Sequence, residues 1–201
     1  MEIVSLKATP RTEVGSKNAR AIRREGNIPC VLYGGDKAEY FSLEPGHVKH
    51  LIYTPDFKLA LIDINGEEHK CILKDLQMHP VTDEVMHIDF LKLVDGTPIK
   101  VEIPIGFKGE SPGIKAGGKL TQNLRSIKVK TKPEHLVDKL YVSIEGLALG
   151  QSVRVRDVEV NENIEVLSQG ATPVGQVLVP RALKSATSAA EKAEGGVDEA
   201  I

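Results

Sequence analysis

The sequence predicts a mainly β fold: a small, mostly antiparallel barrel or curled sheet with two short helices, followed by a second β-rich domain. Three observations carry this. Short apolar or alternating runs recur at close intervals, separated by Gly, Pro and Asn. Asn65-Gly66 stands between two such runs, a strong hairpin signal because both turn residues take positive φ. Before residue 95, only two stretches pair a helical start with a helical stop or apolar face.

In chain order, residues 3–8 (Ile-Val-Ser-Leu-Lys-Ala) read as a strand. Gly15-Ser16 opens a short helix with Ser16 as N-cap, and Gly26 stops it. Residues 29–33 (Pro-Cys-Val-Leu-Tyr) form a compact apolar run closed by Gly34-Gly35, hence a buried strand and a turn. Residues 39–43 are a further strand. Residues 45–53 suit a helix starting at proline, with Val48, Leu51 and Ile52 on one side. Strands 58–64 and 67–76 flank Asn65-Gly66, and a second hairpin returns through 77–84 into 85–94.

Asp95-Gly96-Thr97-Pro98 is a natural boundary, giving domains at 1–94 and 95–180. In the second, 99–107 alternates and a Gly/Pro-rich stretch follows at 109–118. Strands are expected at 120–131, 140–145, 152–160, 165–167 and 174–179, with helical turns near Pro133-Glu134-His135-Leu136. Residues 181–201 are rich in Ala, Ser and Glu, a composition expected to stay disordered.

At 201 residues the chain can hold two cores. It contains no uninterrupted apolar run of about 18 residues and no secretory start, so neither membrane nor export is expected. Its two cysteines, Cys30 and Cys71, are far apart in strand-like contexts. Buried thiols in a reducing cytosol are the expectation, with no metal and no cofactor. The formal net charge of −2 hides a segregation. Lys7, Arg11, Lys17, Arg20, Arg23 and Arg24 face only Glu13 near the start, whereas Glu191, Glu194, Asp198 and Glu199 dominate the end.

Candidate binding residues follow from this. At 100° per residue, Lys17, Arg20, Arg23 and Arg24 fall within an arc of roughly 120° on the first helix, and Arg11 lies just upstream. Clustered cations repel each other unless an anion relieves them, and a phosphate backbone is such an anion. A plain solvated basic helix is the alternative. Gln77 with His79, and His87 with Asp89, each share a strand face by alternation, and a tight return can set the pairs side by side. Such donors and acceptors suit base edges or 2′-hydroxyls. Each histidine alone also fits a turn-satisfying role. Tyr33 before Gly34-Gly35 can lie against a sugar or base, or simply precede a turn. Lys115-Ala116-Gly117-Gly118-Lys119 lacks the spacing of a phosphate loop and reads as a mobile basic loop.

The run from Gly15 to Gly35 (Gly-Ser-Lys-Asn-Ala-Arg-Ala-Ile-Arg-Arg-Glu-Gly-Asn-Ile-Pro-Cys-Val-Leu-Tyr-Gly-Gly) resembles the opening of the large-subunit ribosomal protein twenty-five family. Gln77-Met78-His79-Pro80 and His87-Ile88-Asp89-Phe90 resemble its later signatures. Gly109-Glu110-Ser111-Pro112-Gly113 and Gly117-Gly118 resemble the longer form called general stress protein CTC. The resemblance covers roughly residues 1–180. It implies a six- or seven-stranded N-terminal barrel that binds the loop E region of 5S rRNA through a widened minor groove. It also implies RNA-binding roles for Arg11, Arg20, Arg23, Tyr33, Gln77, His87 and Asp89. Two departures stand out: Ser16 replaces a common lysine, with Lys17 one place later, and Met78 replaces the usual arginine.

The function expected is therefore structural and non-enzymatic: a cytoplasmic, ribosome-associated protein of the large subunit with 5S rRNA as partner. Neighbouring ribosomal proteins are candidate partners of the second domain. The family's barrel is similar in fold to the anticodon-binding barrel of glutaminyl-tRNA synthetase, which makes tRNA an alternative ligand. A stress-related adaptor is another reading, and a hydrolase or transferase using His87 and Asp89 as a dyad is a third. The last needs a nucleophile or metal beside the histidine, and no local motif supplies one.

Overall fold

The computed structural model describes residues 1–35, 37–161 and 163–180. The tail at 181–201, expected to be disordered, lies outside the described residues.

Six strands close into a barrel: β1 (Ile3–Pro10), β2 (Ile28–Tyr33), β3 (Glu39–Leu43), β4 (Leu59–Ile64), β5 (Glu67–Met78) and β6 (Val85–Lys92), in the order β1-β3-β2-β6-β5-β4. Helix α1 (Ser16–Arg24) joins β1 to β2, and α2 (Pro45–Ile52) joins β3 to β4. Four of the pairings are antiparallel, but β1 with β4 and β2 with β6 are parallel. The barrel is thus mostly antiparallel, as expected, with two parallel pairings. The β5–β6 hairpin brings β6 back in the direction of β2, and closure lays β1 along β4 with Leu6 facing Ile62.

The turns follow local chemistry. Asn65 and Gly66 take φ of 56° and 90°, and the Gly66 N–H donates to Oδ1 of Asp63 at 2.8 Å, so β4 and β5 form the expected hairpin. Alternation sends Cys30, Leu32, Phe41, Leu43, Ile62, Ile88 and Phe90 inward, where all are buried. The rings of Phe41 and Phe90 stack with centroids 6.0 Å apart at the centre. Truncating either phenylalanine to alanine would cost about 3–5 kcal/mol, from lost burial and the cavity left behind. On α2, Val48 and Leu51 add to this core, as their helical spacing requires.

Gly34 is favoured by its backbone conformation and by a close strand neighbour. It has φ of 98°, and a Cβ there would lie 2.6 Å from Cδ1 of Leu91 and 3.2 Å from the Lys92 carbonyl. The close approach it permits is to the protein's own strand.

Beyond the barrel come β7 (Ile99–Lys108), α3 (Pro112–Lys115), β8 (Lys119–Gln122), β9 (Ser126–Thr131), β10 (Leu140–Ser143), β11 (Ser152–Arg154), β12 (Val158–Glu159), β13 (Glu165–Val166) and β14 (Pro173–Leu178). They form a five-stranded sheet ordered β12-β10-β7-β9-β13 and a three-stranded sheet ordered β11-β14-β8. One-turn 3-10 helices occupy Pro133–His135 and Val155–Asp157. By compactness the described chain falls into two units: Met1–Pro104 with Val129–Lys139 and Asn163–Glu165, and the remainder from Ile105 on.

Two long strands expected from sequence are each divided. The 120–131 run breaks because the N–H groups of Asn123 and Leu124 both donate to the Val174 carbonyl, ending one ladder before β9 starts another. The 152–160 run breaks at the 3-10 turn, where Oδ2 of Asp157 accepts from the Arg154 N–H at 2.9 Å. The stretch at 109–118, expected as a loop, contains α3 and is anchored at Ser111, Gly113 and Gly118. Ser111 caps α3 and donates to the Leu147 carbonyl at 2.6 Å. A Cβ on Gly113 or Gly118 would collide with neighbouring atoms at 2.8 Å and 2.5 Å, respectively, and Lys115 pairs with Glu110. No helix among the described residues is long and apolar enough to cross a membrane.

Candidate nucleic-acid interface

The N-cap of α1 is Gly15, not Ser16, which is the first helical residue. Gly15 has a φ of 127° that only glycine adopts readily, and its carbonyl accepts the Ala19 N–H at 3.0 Å. No side chain caps this end. The other end is a Schellman motif: Asn27 N–H bonds to the Ile22 carbonyl and Gly26 N–H to the Arg23 carbonyl, with Gly26 at φ of 83°. Arg23 and Arg24 in the last turn suit the helix dipole. Nothing on α1 is fully buried, and contact with β2 holds it to the barrel wall.

The basic arc divides in two. Lys17, Arg20 and Arg24 are exposed, and no carboxylate of the described residues pairs with them. Arg23 is half-buried and donates from Nη1 to the Met86 carbonyl at 3.1 Å. It clamps the helix to β6 as well as carrying charge.

Directly paired residues share a face of a sheet. Pairing Tyr40↔Val31, Val31↔Asp89 and Asp89↔Asp75 therefore draws one outward row across β3, β2, β6 and β5. In the next row Gln77 faces His87. Tyr33 sits two residues beyond Val31 on the same side, opposite Leu91. Burial first, then the charges of Asp89 and Asp75, push the Tyr33 phenol above its usual pKa, which fits that shared face. Nδ1 of His87 lies 2.7 Å from Oδ1 of Asp89, a close contact without the alignment of a hydrogen bond. At the far end of the long row, the Arg11 guanidinium stands over the Tyr40 ring at 5.6 Å, and its backbone N–H donates to the Tyr40 carbonyl. The Arg11 Nε is buried without a partner.

The fold thus gathers Arg11, Tyr33, Gln77, His87 and Asp89 on one outer face, with Arg23 fastened at its edge beside His87. His79 is different. β5 has ended at Met78, after a bulge at Gln77/Met78, so alternation no longer relates His79 to Gln77. Its Nδ1 accepts from the N–H groups of Val81 and Thr82 at 3.3 and 3.2 Å, closing the turn. Asp75 and Tyr40 were missed. Counting back two residues from Gln77 would have placed Asp75 on the same face; Tyr40 required the β2–β3 register.

Residues 6–90 match the ribosomal L25p family, and residues 98–181 match the C-terminal domain of ribosomal protein TL5. The chain belongs to the ribosomal L25p family. The large ribosomal subunit protein bL25 of Cytophaga hutchinsonii is 36% identical over 192 residues, covering 96% of this chain and 100% of that protein. Its counterpart from Bacteroides thetaiotaomicron is 38% identical over 197 residues, covering 96% and 100%. That from Porphyromonas gingivalis is 38% identical over 188 residues, covering 92% and 97%. The L25p match contains every candidate residue from Arg11 to Asp89 and coincides with the barrel.

Proposed function

We propose that this protein is a structural component of the bacterial large ribosomal subunit, located on ribosomes in the cytoplasm, and that its barrel binds the loop E region of 5S rRNA. One observation carries the reading: a single outward face unites hydrogen-bond donors and acceptors with an aromatic and is flanked by exposed cations. Gln77, His87 and Asp89 supply the groups that read bases or riboses. Lys17, Arg20 and Arg24 supply unpaired charge for phosphates, and the position of Arg23 is set by its bond to β6.

A role in binding rather than catalysis fits the surroundings of His87. Both thiols are fully buried, so neither is placed as a nucleophile. Among the described residues no group of three His, Cys, Asp or Glu side chains could hold a metal ion.

The test is co-sedimentation of the full chain with large subunits at moderate salt, with a gel shift on isolated 5S rRNA. Retention on subunits and a shift that fails when loop E is replaced by plain duplex are expected. A protein that stays in the supernatant and shifts all RNAs alike would refute the reading.

A further inference from the structure

A cleft of about 450 Å³ opens beside the β5–β6 turn, lined also by residues from the ends of α1 and α2. Ile28, Ile52 and Val85 give it apolar walls, and Tyr53 lines it while remaining 63% exposed. Arg23 and Lys49 bring positive charge, and Asp83 and Glu84 bring negative charge from the turn. His79 also lines it. Because its Nδ1 is taken by two backbone N–H groups, its ring proton sits on Nε2, leaving that N–H as the available donor.

A flat ring against apolar walls, donors and acceptors around it, and an exposed ammonium together describe one kind of guest. An unpaired nucleotide offers a base with a π face and an edge of mixed polarity, and it carries a phosphate. A duplex keeps its bases stacked and cannot offer one to a cleft of this size. Continuity favours RNA over a protein segment: Arg23 belongs both to this cleft and to the basic arc of α1, and Met86, whose carbonyl holds it, adjoins His87.

We infer that the cleft takes up one unpaired nucleotide of the bound RNA, with the base against Tyr53 and the phosphate toward Lys49. This rests on the RNA-binding reading above.

The sequence contains no tryptophan, so Tyr53→Trp places the sole tryptophan on the cleft, where its emission is read apart from that of the remaining tyrosines. The full-length variant is titrated with 5S rRNA, following tryptophan emission and gel mobility in parallel. Quenching that saturates with the shift is expected, and Lys49→Glu in that background should reduce it. Both positions are exposed, so the variants should fold. Tyr53→Ala should weaken binding about tenfold, the share of one stacked base. A full shift with unchanged emission would overturn the cleft assignment while leaving the outer face intact. Absence of any shift would remove both. Emission that responds to purified large-subunit proteins and not to RNA would make the cleft a protein site, against the inference.

Discussion

Arg23 donates from Nη1 to the carbonyl of Met86 at 3.1 Å, tying the last turn of α1 to the strand that bears His87 and Asp89. Arg20, one turn earlier, is exposed and meets no carboxylate among the described residues. The two arginines should therefore respond differently to removal. Arg23→Ala is expected to lower stability by about 1 kcal/mol, the net worth of a typical hydrogen bond, and to weaken RNA binding. Arg20→Ala should leave stability within about 0.5 kcal/mol of the parent. It should instead flatten the plot of log affinity against log salt by about one phosphate's share. Urea melts and salt titrations separate the two effects. An unchanged salt slope would make Arg20 a solvated surface residue.

Among the described residues, the apolar cluster inside the barrel is built from residues lying between Val4 and Phe90. Residues 1–94 should therefore fold alone and keep most of the affinity for 5S rRNA. A cooperative thermal transition of that fragment, with a gel shift near that of the full chain, is the expected result. Binding by the full chain only would show that the site needs residues beyond 94.

What the sequence made legible was local. Asn65-Gly66 and Gly26 announced their turn and helix end, because positive φ at those places is a property of a few residues. The compact apolar run at 29–33 marked a buried strand, and alternation put His87 and Asp89 on one face of β6. The parallel closures of β1 on β4 and β2 on β6 left no such mark, since long-range pairing has no period of its own. The site suffered from the same limit. Gln77 opposite His87 followed from a hairpin and could be read, whereas His79 was carried along a strand that had already ended at its bulge.

Cys30 and Cys71 are both 0% exposed, with their thiols donating to the carbonyls of Ile28 and Ala60. Burial pushes the Cys71 thiol up to about 12 from 9.0. Burial also raises Cys30, by more than the charge of Arg11 lowers it. Neither should react with a thiol reagent at neutral pH until the barrel unfolds, so labelling should track global unfolding. The folded state holds these protons while the unfolded chain releases them above the ordinary thiol value. Their contribution to stability is thus fully present below pH 9 and declines as pH rises toward 12. Rapid labelling of the native protein would contradict the burial of both thiols.

Asp75 and Asp89 face each other across β5 and β6, two like charges on one surface. Such an opposition destabilises a sheet by about 0.2–1 kcal/mol, and nearby RNA phosphate would add to the repulsion. Asp89→Asn keeps the size and removes the charge, so urea melts should show a gain in stability of that order. Binding should move the other way if Asp89 accepts a hydrogen bond from a base or 2′-hydroxyl, or orients His87 through the 2.7 Å contact. The loss on 5S rRNA should then be roughly 1–3 kcal/mol, the scale of a buried group left unpaired, with unrelated RNA barely affected. Asp75→Asn is the control, because it relieves the same repulsion without touching the His87 contact. Its Oδ1 still accepts from the Leu76 N–H, at 2.9 Å in the parent. It should gain stability and keep the preference for 5S rRNA. Affinities for both RNAs are measured at one salt concentration. If Asp89→Asn tightens binding to both RNAs equally, Asp89 is merely tolerated at the interface and the cations alone make the site.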